Sequence, residues 1–255
     1  MVLVIDCGNT AINFASYQGQ QRKDSFHILT DSTMSVDEYI SKLAPIFNRF
    51  QLFTLDACLI SSVVPSLTSV LQDVIYKLTQ YQPKLFGKGF KTGLPIQIDH
   101  PSELGTDLVV DGLQAKTRYG YPCIIADLGT ATKFIGIDAK GALVGVSILP
   151  GFLISYQALI GKASQLMEIS LKRPSKILGK NTPDSISSGM ILAHENMIAA
   201  MFHSIEKELQ GPCKKIVTGG YAHYVRQGMH EDIIFDDHLN VDGLFTVYEK
   251  NKELF

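Results

Sequence analysis

The chain has 255 residues, 45% hydrophobic and 19% charged, enough apolar material to bury a substantial core, which excludes a disordered chain, a collagen repeat and a coiled coil. With 23 Lys and Arg against 25 Asp and Glu, the formal charge of −2 offers no broad phosphate-binding surface, so nucleic acid is not an expected partner. At roughly 150 residues per domain, a two-lobed body is the natural first expectation.

Along the chain, VLVIDCGNTAINFASYQG comes first: an apolar β-branched run ending at Asp6, then Gly8, Asn9 and Thr10, then a second run and a Gly turn. This pattern predicts a hairpin with a buried first strand. VDEYISKLAPIF has helical spacing, CLISSVV reads as a strand, and PSLTSVLQDVIYKL as a helix opening at Pro65. The stretch GKGFKTGLPIQIDHPSELGTD is Gly- and Pro-rich and reads mostly as loop, with a helix from Leu108 to about Arg118 beyond it. We place the lobe boundary between residues 119 and 120, where YGYP leads into CIIADLGTATKFIGIDAKG. That segment repeats the opening one: an apolar run ending at Asp127, then Gly129, Thr130 and Thr132, a second run and a turn. A helix is expected after Pro150-Gly151, through ILPGFLISYQALIGKASQL. A long one follows with Thr182 as N-cap and Pro183 as first helical residue, its apolar face traced by Ile186, Met190, Met197, Met201, Ile205 and Leu209. KKIVTGGYA is a short strand followed by paired glycines, and DDHLNVDGLFTVYEKN closes with a helix. Strand–helix alternation favours a mixed or parallel sheet.

The four cysteines lie far apart without a CxxC pair, so they are expected to be buried, reduced thiols. No basic leader precedes the first apolar run, and no apolar run approaches about 20 residues; a cytoplasmic protein without membrane association is the expectation.

The repeated tips carry the chemistry. Gly permits close backbone approach to an oxyanion, Thr and Asn donate hydrogen bonds, and an aspartate can hold a divalent cation. A matched pair suits phosphate transfer, with both tips converging on one cleft; two ordinary turns are the alternative. Asp107, in ELGTDLVVDG, is placed either to accept a hydroxyl proton in a kinase reaction or simply to start a helix. Gly219-Gly220 suits either a plain turn or close passage of backbone past a nucleotide. His223, His230 and His238 form no metal motif, and Ser61-Ser62 lacks a nucleophile-elbow context. Lys91, Lys116 and Arg118 are solvated charges by default.

DCGNT, SSVVP, KTGLPI, GTD, DLGTAT, LPG, NTPDSISSG and TGG, in this order, together resemble type III pantothenate kinase, of the acetate and sugar kinase, Hsp70 and actin superfamily. The resemblance implies an α/β, duplicated actin-like (ribonuclease H-like) two-lobe fold, with lobes at residues 1–119 and 120–255. It implies ATP-dependent phosphorylation of pantothenate to 4′-phosphopantothenate at the start of coenzyme A biosynthesis, by a homodimer. It assigns ATP binding to Asp6, Cys7, Gly8, Asn9, Thr10, Ala11, Ile12, Asn13 and Thr130, with Asp6 close to magnesium and Asp127 holding a monovalent cation, potassium or ammonium. Gly105, Thr106, Asp107, Leu108 and Thr182 become substrate-binding, and Asp107 the proton acceptor. Leu108 stands where the family usually has Arg, and Ile98 where a Tyr is common; a non-catalytic or altered-substrate member that keeps the nucleotide cleft is therefore the alternative.

Overall fold

The computed structural model describes residues 1–162 and 169–255. In chain order its elements are β1 (Val2–Cys7), β2 (Ala11–Gln18), β3 (Gln21–Leu29), α1 (Val36–Phe50), β4 (Ala57–Ser62), α2 (Pro65–Thr79), β5 (Lys84–Leu85), α3 (Thr106–Tyr119), β6 (Cys123–Leu128), β7 (Ala131–Ile137), β8 (Leu143–Pro150), α4 (Phe152–Lys162), α5 (Thr182–Ser187), α6 (Ala193–Glu208), β9 (Lys214–Thr218), α7 (Ala222–Val225), β10 (Ile233–Phe235) and α8 (Leu239–Glu249). The chain divides into two compact units: Met1–Gly93, Ser102–Gln114 and Leu239–Phe255 form the first, Leu94–Pro101 and Ala115–His238 the second. The change of unit thus falls inside α3, a few residues before the expected boundary at 119/120, and the tail joins the first unit.

The first unit is built on a five-stranded sheet in the order β3-β2-β1-β4-β5. The first three strands form an antiparallel meander, β4 runs parallel to β1, and β5 parallel to β4. Every residue of β1 is buried, so alternate side chains serve two different layers. Leu3, Ile5 and Cys7 join Phe14, Tyr39, Leu43, Phe47, Leu67 and Leu71 in one core. Asp6 therefore points to the opposite face of the sheet, where α8 packs. There Tyr17 stacks on Phe245 at 4.0 Å, and Asp242 of α8 accepts hydrogen bonds from Tyr17 and Arg22. Gly243 lets α8 approach α3, since a Cβ there would lie 2.6 Å from the Val110 side chain. Helix α1 begins with a reciprocal capping box: Glu38 N–H donates to the Ser35 hydroxyl, and Ser35 N–H to the Glu38 carboxylate.

The second unit repeats the design. Its sheet runs β10-β9-β6-β7-β8, the same connectivity read from the other edge, with β6 in the place of β1 and β9 in that of β4. Ile124, Ala126 and Leu128 of β6 pack with Phe134, Ile198 and Phe202 on one face, which leaves Asp127 on the other. A satellite cluster of Phe152, Tyr156, Ile186, Met190 and Ile191 joins α4 to the segment after α5.

Three expectations change. Asn181, not Thr182, is the N-cap of α5: its side chain accepts from Asp184 N–H at 2.8 Å, so Thr182 is the first helical residue. The predicted long helix is interrupted by one wide π-type turn at Ser188–Leu192 before α6 resumes. The extra residue in that turn rotates the buried face, so Ile198 and Phe202 hold the centre of the core, while Met197, Met201, Ile205 and Leu209 sit at its margin. Finally, β3, β5, β8 and β10 were not anticipated. β3 is a half-exposed edge strand with polar residues, and β5 and β10 have only two and three residues. The ASQL end of the helix expected after Pro150 begins at residue 163, outside the described residues.

Candidate active site

In the first unit the turn after β1 is pinned from two sides. Gly8 N–H donates to Ala11 O at 3.0 Å, while Thr30, just beyond β3, donates its N–H to Thr10 O at 3.0 Å and its hydroxyl to Gly8 O at 2.7 Å. Sequence reading missed Thr30, which becomes visible only once β3 is paired beside β2. Asp6 is buried, Asn9 is exposed, and Gly8, Thr10, Ala11 and Asn13 are half-buried, so the turn presents its polar groups outward while Ile12 faces the core. Across the hairpin Asp6 faces the neutral amide of Asn13. Burial pushes the Cys7 thiol up to about 11, against a lowering hydrogen bond from Ser62. Cys7 is therefore protonated near neutrality, which leaves its backbone as its only contribution to phosphate binding.

On the other side of β1, Asp6 is in register with Ser61 of β4. The fully buried Ser61 hydroxyl lies 3.0 Å from the Thr106 hydroxyl at the start of α3. Ser61 is thus the link between the Asp6 turn and the GTD segment, a structural role that its sequence context did not announce. Gly105, Thr106 and Asp107 are half-buried and Leu108 is buried. The Asp107 carboxylate folds back over Gly105, where a Cβ would lie 2.4 Å from Oδ1. The absence of a side chain at Gly105 sets the position of that carboxylate.

In the second unit, the turn after β6 is closed by Gly129 N–H donating to Ala131 O at 3.2 Å. Two distant glycines make room for it. A Cβ on Gly151 would lie 2.1 Å from Thr130 O, and one on Gly219, at φ +95°, 2.6 Å from Asp127 Oδ1. The first glycine of TGG and the glycine of LPG are therefore packing requirements of the Asp127 turn, whereas Gly220 opens to free space. Lys133, directly across the hairpin from Asp127, brings its Nζ to 2.7 Å from Asp127 Oδ2. Sequence reading missed Lys133 too, although the hairpin register sufficed to pair it with Asp127.

Thr182 is exposed and lines a groove of about 710 Å³ together with Leu159, Asn181, Ser185, Ile186 and Met190. Freed from capping, its hydroxyl is available to a ligand in that groove.

The remaining candidates have protein partners. Lys91 pairs with Glu253 at 3.1 Å, Arg118 with Asp236 at 2.8 Å, and Lys116 donates to Gly141 O at 2.8 Å. None of these three is therefore a solvated charge without a protein partner. His223 Nδ1 lies 2.9 Å from Gly220 O, and His230 Nδ1 2.7 Å from Asp232, both at the surface, and His238 N–H donates to Asp236. All four cysteines are free thiols; Cys7, Cys58 and Cys123 are buried and Cys213 half-buried. Among the described residues no group of three or more His, Cys, Asp or Glu is placed to hold a metal, and no helix is long and apolar enough to cross a membrane.

Comparison with known proteins shows the family and the fold. Residues 2–204 match the family described as type III pantothenate kinase. A type III pantothenate kinase of Roseiflexus castenholzii is 34% identical over 255 residues, covering 99% of this chain and all of the relative. That of Pelobacter propionicus is 35% identical over 254 residues, again covering 99% and 100%. Among solved structures, a conserved putative Baf family transcriptional activator from Campylobacter jejuni superposes with a TM-score of 0.58 at 17% identity, covering 98% of this chain and 99% of that one. The activator of 2-hydroxyisocaproyl-CoA dehydratase from Clostridium difficile, with bound ADPNP, gives 0.56 at 13% identity, covering 99% and 96%. These last two share the duplicated actin-like fold. With two sheets of one topology, repeated acidic turns and full-length relatives of one description, the chain belongs to the type III pantothenate kinase family.

Proposed function

We propose that the protein transfers the γ-phosphoryl group of ATP to the terminal hydroxyl of pantothenate, giving 4′-phosphopantothenate. The observation that supports this reading is the line from Asp6 through Ser61 to Thr106, which links the turn after β1 to the segment carrying the Asp107 carboxylate within one unit.

Gly8, Asn9 and Thr10 bind phosphate oxygens through backbone and side-chain donors, and Thr130 supplies a second contact. Asp6 suits Mg²⁺: a single buried carboxylate with a neutral cross-strand neighbour fits an ion that keeps several waters and takes its other oxygens from phosphates. When bound, that ion neutralises charge developing on the phosphates. Gly105, Thr106 and Thr182 position pantothenate. Asp107 accepts the hydroxyl proton as that oxygen bonds to the γ-phosphorus, and the bond from phosphorus to the bridging oxygen breaks to release ADP. The Asp127 carboxylate already accepts Lys133, so this arrangement does not fit a monovalent metal ion there. We further propose that the chain works as a homodimer; the strongly exposed Ile177 and Leu178, directly before Gly179 of the Thr182 groove, support an apolar contact at that end.

ADP release with pantothenate and Mg·ATP tests the reading. Turnover is expected, and Asp107→Asn is expected to lower kcat by about a hundredfold or more while leaving ATP binding within about threefold. Wild-type turnover no faster than that of Asp107→Asn rejects the assignment.

A further inference from the structure

We infer that the Lys133 ammonium is a built-in monovalent cation, so that this kinase works without potassium or ammonium. The inference rests on the kinase reading above, and it departs from the cation implied at Asp127 by family resemblance.

Three observations carry it. First, Nζ of Lys133 stands 2.7 Å from Asp127 Oδ2, the length of a charge-assisted hydrogen bond, and the two side chains are only 16% and 13% exposed. A half-buried lysine at that depth persists because its charge is met there. Second, the carboxylate is enclosed on further sides. The Gly219 backbone approaches so closely that a Cβ would lie 2.6 Å from Oδ1, and the position of a Gly129 Cβ is 3.6 Å from the same oxygen. Another monocation on Asp127 would have to share this space with an ammonium of the same charge and similar size, and like charges at that range repel. Third, the molecule contains its own comparison. The matching position of the first hairpin is Asn13, which faces Asp6 with a neutral amide. The lysine is therefore a feature of the second turn alone, held against the Asp127 carboxylate by β-sheet register. Being covalently attached, the ammonium costs no binding step and is present at every salt concentration.

The experiment exchanges potassium for tetramethylammonium at constant ionic strength, in wild type, Lys133→Thr and Lys133→Ala. It reads both pantothenate-dependent ADP release and the affinity for a fluorescent ATP analogue without pantothenate. Melting temperature in each salt controls for folding. Wild type is expected to change by less than about twofold in either readout, while both variants lose about tenfold or more without potassium and recover when potassium or ammonium is added. Potassium stimulation of wild type by tenfold overturns the inference, and so does a variant that folds yet binds the analogue as tightly as wild type in both salts. Failure of pantothenate turnover in every salt strikes the function reading alone, because the affinity arm still reports on Lys133.

Discussion

At Asp107 the decisive neighbour is a missing side chain. The carboxylate occupies the space over Gly105, and only the absence of a Cβ there permits it. Since Gly105 adopts no left-handed conformation, Gly105→Ala strains no backbone, and the group that must yield is the carboxylate itself. With Asp107 as the proposed base, its displacement by a fraction of an ångström acts on turnover before it acts on folding. We therefore expect Gly105→Ala to lower kcat by about ten- to a hundredfold, with ATP KM and melting temperature nearly unchanged. Steady-state kinetics beside a thermal melt checks this, and a loss of stability matching the loss of rate would contradict it. The GTD motif was legible as residue types; that Gly105 makes room for Asp107 was not, because residues two positions apart in sequence reveal their mutual packing only in three dimensions.

At the scale of elements, hairpins and long helices were the legible part. β1 and β6 announce themselves by unbroken apolar runs, and α1, α2 and α8 by helical periodicity or position. What stayed hidden depends on partners distant in sequence. The polar edge strand β3 earns its place by pairing with β2, and the π-type turn shifts the buried face by one residue, a change to which periodicity counting is blind. The docking of α8 belongs to the same class. The buried Asp242 accepts Arg22 and the Tyr17 hydroxyl from the first hairpin, and burial together with the Asp242 interaction raises the Tyr17 phenol far above its ordinary range, so it remains a donor. Removing the carboxylate leaves a half-buried guanidinium and a buried hydroxyl without their acceptor. Asp242→Ala is expected to destabilise the protein by about 2–4 kcal/mol in urea unfolding, with Asp242→Asn retaining part of that because it keeps an acceptor oxygen. Equal stability of the alanine variant and wild type would show that apolar contacts such as Tyr17–Phe245 hold α8 unaided.

For the molecule as a whole, duplication was the strongest signal in the sequence, and the identical strand orders of the two sheets bear it out. Identical topology does not mean identical response to pH, since the two units bury different titratable groups. In the second unit His194 is half-buried, with its ring centroid 4.9 Å from that of Phe152, and desolvation holds its pKa below the ordinary 6.5, opposed by a hydrogen bond to the Met190 backbone. The unfolded chain therefore takes up a proton at this histidine before the folded chain does. Stability from this group is complete above pH 6.5 and is lost as the pH falls from there toward the depressed folded value. Glu206 is lowered chiefly by a hydrogen bond from Cys213 N–H, and Asp232 chiefly by His230, so their contributions disappear only at more acid pH, below ordinary carboxylate values of 4.5 and 3.8. Acid melting should thus proceed in two steps. The first, beginning just below pH 6.5, is expected to vanish in His194→Gln while the second remains, as read from melting temperatures across pH 7 to 3.5. A first step of undiminished size in the variant would assign it to other groups.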